Sequence, residues 1–221
     1  MKGSEILRHV DHTLLKPTAT WGEIQALCEE AIKYQTASVC IPASYVAPVQ
    51  QKYGSRVNIC TVIGFPLGYD TTETKITAAT QAVADGAKEV DIVINIADAK
   101  NGYFDKITEE IAKIKEAIGN NILKVIIEAC YLDDSEKTQL CQCVTRAKAD
   151  YIKTSTGFGT GGATHEDIKL FRENIGPAVK IKAAGGIRTI EDMKQYLQEG
   201  CERIGASAAV GLLKDKLNTE V

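Results

Sequence analysis

Two lysines lie where a charged side chain has little water to face. Lys153 closes the run Asp150-Tyr151-Ile152-Lys153 ahead of Thr154-Ser155-Thr156-Gly157, and Lys182 closes Val179-Lys180-Ile181-Lys182 ahead of Ala183-Ala184-Gly185-Gly186. Each run has the pattern of a short strand that ends in a glycine-bearing turn. An unperturbed lysine has a pKa of about 10.4, and bringing it near neutral pH takes roughly 4 kcal/mol of bias against the charged form. Partial burial beside a second cation supplies such a bias. The deprotonated amine is then a nucleophile for carbonyl carbon.

A carboxylate belongs with them. In Glu89-Val90-Asp91-Ile92-Val93-Ile94-Asn95, alternation puts Asp91 and Val93 on one face and Val90, Ile92 and Ile94 on the other. The aliphatic face suits packing against helices, so Asp91 is expected to point inward, where it needs a partner. The same alternation turns Ile152 and Ile181 outward and Lys153 and Lys182 inward. Lys180 shares the parity of Lys182 but lies deeper or at the strand entrance, which leaves Lys182 as the better candidate. Taken singly, each of these residues reads equally as half of a structural ion pair. Two lysines at matching positions on neighbouring strands, about 5 Å apart, with a carboxylate close by, read as proton-transfer machinery.

Three glycine-rich turns follow the last strands: Gly157-Phe158-Gly159-Thr160-Gly161-Gly162, Gly185-Gly186 and Gly205-Ala206-Ser207. Glycine lets backbone amides approach an anion, and a following helix adds its positive end. Any one turn is ordinary; three beside the lysines point to a phosphorylated substrate. Asp11 stands at the end of a short run, either as a lysine partner or as a cap. Cys40 lines the pocket or is simply core, and Glu128, on the face of Ile126, is a candidate for the polar network. His9, His12 and His165 form neither a triad nor a metal cluster, and Cys141-Gln142-Cys143 has no second pair to complete a metal site.

The elements that must position these groups alternate along the chain. Strands are expected at Val10–Leu15, Ala37–Ile41, Val57–Gly64, Glu89–Asn95, Lys124–Ala129, Tyr151–Ser155, Val179–Ala183 and Arg203–Ala206. Helices are expected at Trp21–Tyr34, Tyr45–Lys52, Thr72–Asp85, Tyr103–Ala117, Ser135–Ala147, His165–Glu173, Ile190–Glu199 and Ala208–Leu217. Thr20-Trp21-Gly22-Glu23 reads as a capping box, Thr164 and Thr189 as N-caps, and Gly54, Gly86, Gly119 and Gly200 as helix terminators. Eight strand–helix units of roughly 25–30 residues imply a closed parallel (β/α)8 TIM barrel, with its site at the carboxyl ends of the strands. An open doubly wound sheet is the alternative, but its glycine fingerprint is missing after the first strand, where Leu15-Lys16-Pro17-Thr18 stands.

No linker divides the 221 residues, so one barrel domain over residues 1–221 is expected. A net charge of −3 gives no reason to expect nucleic acid or an anionic membrane as a partner. The start carries no apolar signal core, and no apolar stretch reaches spanning length. A cytoplasmic location is therefore expected, and seven cysteines without a disulfide spacing agree with it.

With these residues in place, the chain resembles the 2-deoxyribose-5-phosphate aldolase family over nearly its whole length. The resemblance is carried by Val10–Leu15, Glu89–Asn95, Lys124–Glu128, Tyr151–Gly157 and Lys182–Arg188, in the family's order and spacing. It implies a class I aldolase, a lyase that needs neither metal nor organic cofactor and works in deoxyribose phosphate breakdown. By the same resemblance, Lys153 forms the Schiff base, Lys182 depresses the nucleophile's pKa and shares in proton transfer, and Asp91 is the acid–base carboxylate acting through water. Asp11, with Cys40, supports the polar network, and Gly157, Gly185, Gly186, Gly205 and Ser207 bind phosphate. The iminium is expected to let the C3–C4 bond of deoxyribose 5-phosphate break, giving glyceraldehyde 3-phosphate and acetaldehyde. Relatives are usually dimers, so a homo-oligomer, a dimer first, is expected.

Three features depart from the family pattern. Ala208 stands where many relatives have a second serine, Phe158 where some carry a phosphate-facing lysine, and the tail Lys214–Val221 has no tyrosine. A transaldolase-like barrel with another donor and a silent sugar-phosphate-binding barrel are the competing readings. Retention of Asp91, Lys153 and Lys182 speaks against the silent one.

Overall fold

The computed structural model describes residues 1–221. Eight parallel strands pair in chain order and close on themselves. They are β1 (Val10–Thr13), β2 (Ser38–Ile41), β3 (Ile59–Ile63), β4 (Glu89–Val93), β5 (Ile122–Ile126), β6 (Tyr151–Lys153), β7 (Lys180–Ala184) and β8 (Arg203–Ala206). Closure is made by β8 against β1, with Val10 opposite Ile204 and Asp11 opposite Gly205. The barrel is the (β/α)8 fold expected from the alternation of elements.

Ten α-helices accompany the strands: α1 (Gly3–Leu7), α2 (Trp21–Tyr34), α3 (Val46–Tyr53), α4 (Thr72–Ala84), α5 (Ile96–Lys100), α6 (Phe104–Ile118), α7 (Asp134–Arg146), α8 (His165–Asn174), α9 (Ile190–Gln198) and α10 (Ala209–Leu213). The apolar core lies between sheet and helices. Val90 and Ile92 of β4 are fully buried there, as are Val125 of β5 and Ile152 of β6. From the helix side, α6 presents Ile107, Ile111, Ile114 and Ile118, a stripe at helical spacing, all buried.

The capping signals act as the sequence reads. The Thr20 hydroxyl accepts from Glu23 N while Glu23 Oε2 accepts from Thr20 N at 2.7 Å. Thr164 and Thr189 cap α8 and α9 through Asp167 N and Asp192 N. Gly54, Gly86, Gly119 and Gly200 all take positive φ just past a helix.

Several boundaries differ for identifiable reasons. The fifth strand starts at Ile122 and stops at Ile126, because Glu128 adopts φ 52° and turns the chain into a 3-10 turn at Ala129–Tyr131. A similar 3-10 turn at Ala43–Tyr45 precedes α3. The last helix ends at Leu213, four residues before the expected end. Helices α1 and α5, five residues each, are too short to leave a periodic signal. Asn95 starts α5 by accepting from Ala97 N and Asp98 N.

Candidate active site

The inward positions of the strands carry more than the aliphatic layers usual in such a barrel. They hold Asp11, Glu89, Asp91, Lys124, Lys153, Lys182 and Arg203, all buried. Three carboxylates and four basic groups share a space closed to water, so each must find its partners inside. Strand register sets who meets whom: Lys153 lies opposite Lys182, and Asp91 lies opposite Lys124.

Asp91 is the hub. Its Oδ2 accepts from Lys153 Nζ and from Lys182 Nζ, both at 2.7 Å. Its Oδ1 accepts from Lys124 Nζ at 2.8 Å and from Cys60 Sγ at 3.1 Å. Burial alone would push this carboxyl up; Lys124, Lys153 and Lys182 overcome that and hold it well below the usual carboxylate range. Asp11 forms a second node. It pairs with Lys182 through one oxygen and with Arg203 through the other, and the second oxygen also accepts from the Ser38 hydroxyl at 2.7 Å. Against the cost of burial, Lys182, Lys124 and Arg203 hold Asp11 far below its ordinary value.

The two lysines singled out by the sequence differ in one decisive respect. Lys182 is sealed beneath the cavity: burial works against its charge, but Asp11 and Asp91 together raise its pKa well above the ordinary value, so it is an ammonium. Lys153 reaches the cavity wall, with its amine sharing the Asp91 oxygen that Lys182 also holds. A fixed cation therefore stands beside an amine that opens to the mouth. Lys180, the alternative by parity, is exposed at the opposite end of its strand, over the ring of Tyr151.

The cavity, of about 450 Å³, opens at the carboxyl ends of the strands. Gly157, Gly185, Gly186, Gly205 and Ser207, the five positions expected to bind phosphate, all line it. So do Lys16 and Arg188, both exposed, which supply the positive charge that position 158 does not. The turns after β6 and β7 are stitched together, with Ala163 N donating to Ala184 O and Gly185 O at 3.1 Å. Glu128 anchors the first of these turns by accepting from Thr156 N at 3.1 Å and from the Thr156 hydroxyl. A larger groove of about 640 Å³ lies in the outer helix layer between α8 and Glu199; its lining is entirely polar and includes none of the strand-end residues.

Cys40 lies under the cavity rather than on its wall, paired in register with Cys60. A hydrogen bond with Cys60 lowers the Cys40 thiol's pKa, whereas burial raises that of Cys60. The donor atoms of Cys40, Cys60 and Asp91 lie within 4.8 Å of one another. Lys124 Nζ, 3.3 Å from Cys60 Sγ and 2.8 Å from Asp91 Oδ1, already takes the cation position among them. His9, His12 and His165 sit apart, bonded to Glu202 O, Glu30 and Glu199 respectively.

Lys124, Glu89, Arg203 and Cys60 were missed in the sequence, as were Lys16 and Arg188. Parity could have found one of them, Glu89, which shares the face of Asp91. Lys124 is the single polar residue of β5, with Ile122 and Ile126 on its own face and Leu123 and Val125 on the other, so alternation does not mark which face is inward.

A barrel that buries lysines on a shared carboxylate and opens one of them to a glycine-rimmed cavity belongs to the enzymes that use an amine against carbonyl carbon. Residues 6–215 match the family described as DeoC/LacD family aldolase, and the chain belongs to that family. It is 63% identical over 214 residues to a deoxyribose-phosphate aldolase of Clostridium botulinum (strain Alaska E43 / Type E3), covering 97% of each chain. It is 54% identical to the deoxyribose-phosphate aldolase of Clostridioides difficile (strain 630), over 97% of this chain and 98% of that one. Among solved structures, the tetrameric deoxyribose phosphate aldolase from Aeropyrum pernix superposes with a TM-score of 0.88 at 30% identity, covering 96% of this chain and 91% of that one. No helix is long and apolar enough to cross a membrane.

Proposed function

We propose that this aldolase reversibly cleaves 2-deoxy-D-ribose 5-phosphate to D-glyceraldehyde 3-phosphate and acetaldehyde, through a Schiff base on Lys153. The observation that carries the assignment is the single Asp91 oxygen held by both Lys153 and Lys182, with Lys153 alone of the two facing the cavity.

The amine of Lys153 adds to C1 of the open-chain aldehyde, and loss of water leaves an iminium. Lys182 and Asp91 serve this step by passing protons to and from the carbinolamine oxygen through water. The iminium then draws in an electron pair as a carbon–carbon bond breaks. Acetaldehyde carries away C1 and C2, so that bond is C2–C3, not the C3–C4 bond expected from the sequence. The C3 hydroxyl gives up its proton as it becomes the aldehyde of glyceraldehyde 3-phosphate. The remaining enamine takes a proton at C2, and water releases acetaldehyde and the free amine. Asp11 and Cys40 act from beneath by fixing Lys182 and the Asp91–Cys60 contact. The 5-phosphate is taken by Gly157, Gly185, Gly186, Gly205 and Ser207, with Lys16 and Arg188 as counter-charges. In the same reading, residues 1–221 form one catalytic domain that works in the cytoplasm as a homo-oligomer, a dimer first, in deoxyribose phosphate breakdown.

Borohydride reduction with each candidate sugar, followed by mass spectrometry of peptides, tests this directly. Deoxyribose 5-phosphate should leave its reduced adduct on Lys153, and Lys153→Ala should lose both adduct and cleavage. An adduct formed only with a ketose phosphate would favour the transaldolase-like reading instead.

A further inference from the structure

Glu128 stands just past the end of β5 in the left-handed region, at φ 52° and ψ 62°. Glycine or asparagine takes that backbone readily, whereas glutamate takes it at a cost. Strands β5 and β6 are joined as far as Ile127 N to Lys153 O at 3.1 Å and Ala129 N to Thr154 O at 2.9 Å. The Glu128 carbonyl is turned away from β6 and accepts from Tyr131 N at 3.1 Å. Its side chain, buried, takes over the pairing: Oε1 accepts from Thr156 N at 3.1 Å and Oε2 from the Thr156 hydroxyl. That hydroxyl in turn accepts from Phe158 N at 3.0 Å.

Residues 156–158 are thereby bound into one tight turn with Gly157, at φ 85°, on its apex. On the far side the turn is held by the ring of Phe158, which meets Phe65 on the loop after β3 edge to face, with centroids 5.3 Å apart. The amide of Gly157 donates to nothing within the chain, and neither do those of Gly185 and Gly186. A Cβ on Gly185 would come within 3.5 Å of Gly157 Cα, so the two turns abut. Their free amides lie side by side on the wall of one cavity.

Resting on the function argued above, we propose that Glu128 is a positioning residue for the 5-phosphate: it holds Thr156 so that the Gly157 amide is presented to the anion beside those of Gly185 and Gly186. A carboxylate draws no phosphate to itself, so its contribution is the geometry of the turn. Amides fixed before the anion arrives need no reordering when it binds. Neither oxygen of Glu128 bonds to Lys153 or Asp91, whose own contacts are with each other and with the interior cations. The role therefore belongs to binding and not to bond cleavage.

The test measures kcat and KM for deoxyribose 5-phosphate and for unphosphorylated deoxyribose in the wild type, Glu128→Ala, Glu128→Gln and Thr156→Val. A hydrogen bond to a charged group is worth about tenfold or more in affinity, so Glu128→Ala should raise KM for the phosphorylated sugar by about tenfold and lower kcat less. Its kcat/KM for deoxyribose should stay near that of the wild type. Glu128→Gln keeps an acceptor for Thr156 N and a partner for the hydroxyl, and should restore KM. Circular dichroism checks that each variant is folded; should Glu128→Ala not fold, Thr156→Val, which cuts the same link from the other side, decides in its place with the same expected split. Equal losses on both sugars, or no loss on either, overturn the proposal. So does a Glu128→Gln variant as impaired as Glu128→Ala, because charge and not hydrogen bonding would then be what the turn needs. Borohydride trapping of deoxyribose 5-phosphate on the wild type separates this from failure of the aldolase reading. A Lys153 adduct without the expected split defeats only the role of Glu128, whereas absence of the adduct defeats both.

Discussion

Lys124 Nζ stands 2.8 Å from Asp91 Oδ1, fully buried and on the neighbouring strand. That contact decides which oxygen of Asp91 is left for Lys153 and Lys182. Lys124 also pairs with Glu89 and lies 3.6 Å from Asp11, so it is the one cation in reach of all three interior carboxylates. Burial opposes its charge, and Asp91, then Cys60, Asp11 and Glu89, raise its pKa well above the ordinary lysine value.

Lys124→Met, close in shape and without charge, should therefore unfold more easily. Breaking a buried pair from one side leaves uncompensated charge and costs about 3–5 kcal/mol. The urea midpoint should fall accordingly, and cleavage should fall with it because Asp91 loses its tether. A midpoint within error of the wild type would show that the interior is solvated after all.

The same interior fixes how stability depends on pH. Asp11 and Asp91 titrate below their ordinary values when folded. Their contribution is present above the unfolded-state value of about 3.9 and is lost as pH falls through the folded values. Lys124 and Lys182 titrate above theirs. Their contribution is complete below about 10.4 and declines as pH rises from there toward the folded values. Urea midpoints should hold level from about pH 5 to 9 and drop on both sides. A stability that rises on acidification below about pH 4 would contradict the ionised state of both carboxylates.

How far the sequence discloses this site depends on whether alternation leaves a trace. Asp91 is visible because Val90, Ile92 and Ile94 claim the outer face, and Lys153 and Lys182 because Ile152 and Ile181 do the same. The barrel is visible because each strand is short and several helices announce their start, as α2 does with Thr20 and α9 with Thr189. Lys124 and Arg203 stayed hidden because a cation in a strand is ordinarily solvated; only closure of the barrel takes the water away. The Phe65–Phe158 contact is hidden for another reason. It joins residues 93 positions apart that face each other only because β3 and β6 lie across the same mouth. Glu128 likewise shows no sign in the sequence of the left-handed backbone that ends β5 early.

Gly162 tests the anion-binding arc without touching any charged group. A Cβ there would overlap the carbonyl of Gly185, a backbone atom that cannot step aside alone. The neighbouring Ala163 N is bonded to Ala184 O and Gly185 O, so the turn after β7 must move with the turn after β6. Gly185 and Gly186 ride on that turn and line the cavity. Lys153 and Asp91 belong to the strands beneath and keep their contact. Gly162→Ala should thus raise KM for the phosphorylated sugar by about tenfold while lowering kcat less, the pattern of lost binding shared by ground and transition states. Overpacking should also cost about 1–3 kcal/mol of stability. Gly22→Ala, on an exposed helical position with open space around the added methyl, is the matched control. It should leave KM alone and stabilise by about 0.4–1 kcal/mol. Equal KM values in the two variants would mean that the phosphate does not rest on the Gly185–Gly186 turn.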